Sequence, residues 1–216
     1  MIAICKPFIN PYCNWKDDDP RHPPLHECIA KELCTRCKCC SVVDYLAFWK
    51  QSMTSETGNI MGEIKLGLSS MIVRSDVYFN LKGSTPEEVI ASAVKLIKWP
   101  KGLDRSALKA ALLERESLAS TALGDGFALP HPRHLMLVNP EDAMVAVCYP
   151  EVPVDWGAPD GLPVTTIFFV LSAVPEQHLI TLSCIARLVQ DKAFRSLILQ
   201  RPQRTELLEF MKKKES

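Results

Sequence analysis

Residues 124–134, "GDGFALPHPRH", set one imidazole, His131, between two prolines at the end of an apolar run. Each proline fixes its own φ and biases the residue before it toward extended backbone, so Pro130 and Pro132 stiffen the chain on both sides of the ring. Gly124 and Gly126 allow the preceding loop to turn tightly. An ordinary imidazole titrates near pH 6.5, so at neutral pH it is mostly uncharged and able to act as a base, a metal ligand or a nucleophile. The stub suits a ring held in one orientation at a strand end, beside an open approach.

Two further groups match an anion near that ring. Arg115 closes the helical pattern before the loop, and its guanidinium fits phosphate oxygens in bidentate geometry. His178 falls in the first turn of a later helical pattern, where free N–H groups and the helix dipole favour negative charge. Ser120 and Thr121 add hydroxyls. Taken singly, His131 fits a packing histidine equally well, His178 a surface or capping residue, and Arg115 a partner for a nearby carboxylate. His134, three residues after His131, has no further ligands at metal-binding spacing and reads as solvated.

These groups need elements to carry them. "DVYFNL" (76–81), "GFALP" (126–130), "AMVAVCY" (143–149) and "VTTIFFVL" (164–171) are short, β-branched or aromatic, and bounded by turn formers, so they predict strands. "STPEEVIASAVKLIK" opens with Thr85 as N-cap, Pro86 at the first helical position and Glu88 three residues after the cap. "DRSALKAALLERE" (104–116) opens on Asp104 and turns Leu108, Ala111 and Leu112 inward. "PEQHLITLSCIARLVQD" (175–191) carries a core stripe of Leu179, Leu182, Ile185, Ala186 and Val189, and two closing helices follow over 192–199 and 204–213. Helices flanking a small mixed sheet give an α/β sandwich. Cys148 and Cys184 fall on apolar faces and read as core packing.

The 216 residues carry 25 basic and 25 acidic side chains. Between Ala110 and Asp191 stand three arginines, no lysine and ten acidic residues, a net charge of −7. That stretch excludes the basic excess of a nucleic-acid binder and favours a basic protein partner. No apolar run reaches the roughly 20 residues of a membrane span, and the N-terminus lacks the layout of a signal peptide. The sequence thus predicts a cytoplasmic protein without membrane insertion.

"LLERESLASTALGDGFALPHPRH" (112–134), with "VDWGAPDGLPVTTIFFVL" and "EQHLITLSCIARLVQD" after it, resembles enzyme IIA of the fructose–mannitol (type 2) class of the bacterial phosphoenolpyruvate:sugar phosphotransferase system. The nitrogen-regulatory IIA proteins share this pattern, and the likeness covers residues 71–216. It implies that His131 is the phosphorylated histidine, His178 a second active-site histidine and Arg115 the arginine beside the phosphate, with Ser120, Thr121, Gly126 and Pro130 in support. It implies a phosphohistidine carrier, a transferase component and not a stand-alone catalyst. The carrier takes its group from HPr or a nitrogen-branch counterpart and needs no cofactor. The group then serves regulation, the reading favoured for a chain without attached transporter segments, or passes to a separate IIB domain for sugar transport. A IIA-like binding module that no longer accepts phosphate is the third alternative. Pro132 and Arg133 depart from the glycine usual after the histidine, and "STALG" departs from the commoner Ser-Thr-Gly-Ile-Gly.

Residues 1–70 differ in character. Seven of the nine cysteines lie in the first forty positions, ending in "CTRCKCC" (34–40), with little periodic pattern. The segment reads as an irregular or dispensable extension. Cys34, Cys37, Cys39 and Cys40 also permit a zinc site or a metal- or redox-responsive switch, although the second ligand pair is irregularly spaced.

Overall fold

The computed structural model describes residues 68–215. The candidate zinc ligands Cys34, Cys37, Cys39 and Cys40, and the proposed extension before residue 68, lie outside the described residues. A helical stretch at 68–74 leads into β1 (Val77–Leu81), α1 (Pro86–Leu96), α2 (Arg105–Leu118), β2 (Ala122–Gly124), β3 (Phe127–Ala128), β4 (Met144–Pro150), β5 (Thr166–Leu171), α3 (Pro175–Leu188), α4 (Lys192–Ile198) and α5 (Arg204–Glu215). The strands form one mixed sheet in the order β1-β4-β5-β3-β2. β1 runs parallel to β4 and β3 parallel to β5, while β4 and β5 are antiparallel, as are β2 and β3. A mixed sheet between helices matches the architecture the sequence predicts.

β4 and β5 are buried along their whole lengths, which explains their unbroken apolar runs. Successive side chains alternate between two cores. Met144, Ala146, Cys148, Ile167, Phe169 and Leu171 pack with α1 and α2 residues such as Ile90 and Leu108. Val145, Val147, Phe168 and Val170 pack on the other face with Leu68, Met71, Ile185, Phe194 and Leu207. The helical lead-in therefore belongs to this core, with Leu68, Met71 and Ile72 each no more than 5% exposed.

Helix starts follow their caps. Thr85 accepts from the Glu88 backbone N–H, and Asp104 accepts from those of Ser106 and Ala107. The Glu88 carboxylate, however, accepts from the backbone and hydroxyl of Ser84, one residue upstream of the predicted cap partner. In α3 the predicted stripe is shifted. Leu179 is 37% exposed, because the buried face begins one turn later at Thr181 and Leu182.

Strand β2 is not evident as a strand in the sequence. It arises because Asp125 and Gly126 both take positive φ, 53° and 83°, the two central positions of a hairpin turn whose twist matches paired strands. Gly126 is thus a turn residue. A Cβ there would lie 3.1 Å from Thr165 Oγ1, and its carbonyl accepts from the backbone N–H groups of Thr165 and Thr166.

Candidate active site

β3 spans two residues, but its ladder continues. The Leu129 N–H donates to the Thr121 carbonyl on one side, and the Pro130 carbonyl accepts from the Val170 N–H on the other. Pro130 has no N–H of its own to satisfy, so the stub is pinned from both neighbours with nothing left over. The chain leaving this clamp carries His131.

The His131 ring is 6% exposed, more enclosed than the open approach read from the sequence. Its Nδ1 lies 2.7 Å from the Leu129 carbonyl oxygen. A carbonyl only accepts, so Nδ1 carries the proton and Nε2 keeps its lone pair. Burial, followed by the nearby His178 and Arg115, drives the His131 pKa from 6.5 down to about 3, against the opposing pull of the Leu129 carbonyl. The ring is neutral at physiological pH, with one nucleophilic nitrogen.

His178 comes from the first turn of α3, its ring centroid 5.2 Å from that of His131 and tilted 58° to it. Burial and then Arg115 lower its pKa to about 4. Its Nδ1 is buried and has no hydrogen-bond partner among the described residues. α3 starts on Val174 and Pro175 without the side-chain cap that α1, α2 and α4 possess. Arg115 comes from the last turn of α2, is 8% exposed, and anchors itself by donating to the Ala119 carbonyl at 2.8 Å. Burial lowers its pKa, and neighbouring Arg133 adds to the effect. The fold therefore brings together His131, His178 and Arg115 from three separate elements. Such a cluster, cationic at Arg115 and rich in N–H donors, suits an oxyanion attached to a neutral imidazole.

The remaining predicted residues have other work. Ser120 Oγ donates to the Trp156 carbonyl at 2.6 Å and accepts from the Ala122 N–H. Thr121, 1% exposed, donates both its backbone N–H and its hydroxyl to the Glu116 carboxylate, at 2.7 and 2.6 Å. Both hydroxyls hold the loop in shape. Glu116 stands beside Arg115 in the stretch that carries the resemblance, but the sequence assigns it no role; its spacing from Thr121 across a helix end matches a local cap. Among the described residues no cluster of three His, Cys, Asp or Glu side chains is placed to hold a metal, and His134 is exposed.

The sequence profile of "Phosphoenolpyruvate-dependent sugar phosphotransferase system, EIIA 2" matches residues 70–214. The chain belongs to that family. Proteins of the EIIA type 2 family are phosphotransferase components. A nitrogen regulatory protein of Pseudomonas aeruginosa is 34% identical over 118 residues, 53% of this chain and 73% of that relative. The fructose-specific EIIABC component of Bacillus subtilis is 29% identical over 136 residues, covering 62% of this chain. The match spans only 21% of that longer relative. The crystal structure of nitrogen regulatory protein IIA-Ntr from Neisseria meningitidis superposes with a TM-score of 0.56 at 28% identity, covering 71% of this chain and 99% of that one. No helix among the described residues is long and apolar enough to cross a membrane.

Proposed function

We propose that this EIIA domain is a phosphohistidine carrier charged on His131 Nε2, and that its charged and uncharged states serve nitrogen-type regulation. The observation that carries the proposal is the hydrogen bond from His131 Nδ1 to the Leu129 carbonyl, which leaves Nε2 as the one nitrogen with a free electron pair. In the transfer, Nε2 attacks the phosphorus of a donor phosphohistidine on an HPr-type carrier. The new P–Nε2 bond forms as the donor P–N bond breaks, and that bond's electron pair returns to the donor imidazole. The proton stays on Nδ1, donated to the Leu129 carbonyl, throughout. Arg115 and His178 stabilise charge on the phosphoryl oxygens, so positioning and electrostatics supply the rate. The regulatory branch is favoured by relatives named nitrogen regulatory protein, matched over 73% of one such relative against 21% of the fructose EIIABC protein. Delivery to a separate IIB domain uses the same phosphorylated state.

The test is incubation with enzyme I, phosphoenolpyruvate and either HPr or its nitrogen-branch counterpart, with intact-mass detection of acid-labile phosphate. Label on the native chain and none on His131→Ala is the expected result. An unlabelled native chain with both donors overturns the carrier reading and leaves a IIA-like binding module.

A further inference from the structure

The tether that sets the His131 tautomer is itself held by a longer chain of hydrogen bonds. Glu116, in the last turn of α2, accepts from the Thr121 backbone N–H at 2.7 Å and from the Thr121 hydroxyl at 2.6 Å. The Thr121 carbonyl then accepts from the Leu129 N–H at 3.0 Å, and the Leu129 carbonyl faces His131 Nδ1 at 2.7 Å. The ends of this chain are 15 residues apart in sequence and on different elements, and each internal link enters a residue, Thr121 or Leu129, at its N–H and leaves at its carbonyl, across the Cα that joins two peptide planes. The coupling is geometric: with each N–H pinned to its partner, the φ and ψ of Thr121 and of Leu129 are held, and with them the direction of the carbonyl that follows. The α2 turn that aims Arg115 at the site thus also fixes, through the adjacent Glu116, the peptide that orients the reacting ring.

We infer that Glu116 is a positioning residue for His131: through Thr121 and Leu129 it holds the ring in the Nδ1–H tautomer and so keeps Nε2 unprotonated. The inference deepens the carrier reading and rests on it for its consequence in transfer, but the ring geometry it describes stands without any phosphate. Thr121 is the adaptor. Its hydroxyl takes up one carboxylate oxygen while its backbone joins the strand ladder, a double duty that serine shares and valine does not.

The experiment compares the native full-length chain with Glu116→Gln, Thr121→Val and Thr121→Ser. Ring ¹⁵N shifts of His131, identified by their loss in His131→Ala, report which nitrogen carries the proton. Phosphorylation rates are measured over a range of donor concentrations. In Glu116→Gln the amide N–H₂ replaces one acceptor and the charge is gone. The expected result is a measurable Nε2–H population and a maximal transfer rate at least about tenfold lower, the loss of one charge-assisted hydrogen bond. Donor affinity is expected to stay unchanged. Thr121→Val follows in the same direction, and Thr121→Ser restores both readouts. An Nδ1–H tautomer intact in folded Glu116→Gln overturns the inference, whatever the rate does, because a purely structural role lowers stability without moving the ring proton. If the native chain takes no phosphate while the tautomer still shifts in Glu116→Gln, the positioning role stands and the carrier reading falls.

Discussion

Lowering the pH from 7.5 to 5.0 should destabilise the domain mainly through two rings. His131 and His178 are depressed from 6.5 to about 3 and about 4 by burial in the fold. A histidine with a depressed folded pKa lets the unfolded chain take up its proton first, so stability is complete above about pH 6.5 and falls as the pH drops. The decline ends only when the folded rings protonate, near pH 4 for His178 and pH 3 for His131. At pH 5.0 the unfolded rings are about 1.5 units below their ordinary pKa, so at 1.36 kcal/mol per unit each costs about 2 kcal/mol and the pair about 4. With a urea m-value of about 2 kcal/mol/M, the midpoint moves down by about 2 M. Urea unfolding at four pH values between 7.5 and 5.0 reads this shift above the ordinary carboxylate range; burial raises the Glu116 carboxyl, and any proton it takes up in the fold opposes the decline. His131→Ala with His178→Ala should flatten the profile, since neither state then carries the protons. A native midpoint that does not move, or a slope that survives the double substitution, refutes the assignment of buried neutral rings.

Two other substitutions probe the scaffold and the charge. Gly126→Ala puts a Cβ 3.1 Å from Thr165 Oγ1 at a φ of +83°, and should cost about 1–2 kcal/mol of stability by urea unfolding. Arg115→Gln removes the cation that lowers both histidine pKa values. Both should rise toward 6.5 in an NMR titration without reaching it, because burial is the larger cause, and phosphoryl transfer should slow by about tenfold or more.

The sheet and its helices were legible because their signals are local. Thr85 and Asp104 sit where caps must sit, and β4 and β5 are apolar along their length because both faces are covered. Strand β2 was less legible, since a three-residue strand has no periodicity to read. Its one sign was the Asp125-Gly126 pair, which specifies a hairpin turn as well as a loop. The lead-in helix at 68–74 escaped because the change in composition near residue 70 drew the boundary inside it, yet Leu68 is buried. At the site, the stiffness around His131 is written in Pro130 and Pro132. The orientation of its ring is not, because it depends on a carbonyl two residues back and on a ladder to Thr121 that only folding assembles. Leu179 shows the same limit in reverse: helix periodicity gives the stripe but not where along the helix the core begins.

The enclosure of His131 bears on how long a message can last. P–N bonds to imidazole are reactive, and a signalling carrier that loses its group to water at random reports nothing about its donor. With the ring 6% exposed and flanked by His178 and Arg115, a phosphoryl group on Nε2 has few directions from which water can reach it in line. A docked partner that brings its own nucleophile is not so restricted. On the proposed carrier role, the burial that makes the ring costly to fold at low pH would act as a filter on time, separating slow leakage from deliberate hand-off, and the charged fraction of the protein would then record the supply of phosphoryl groups.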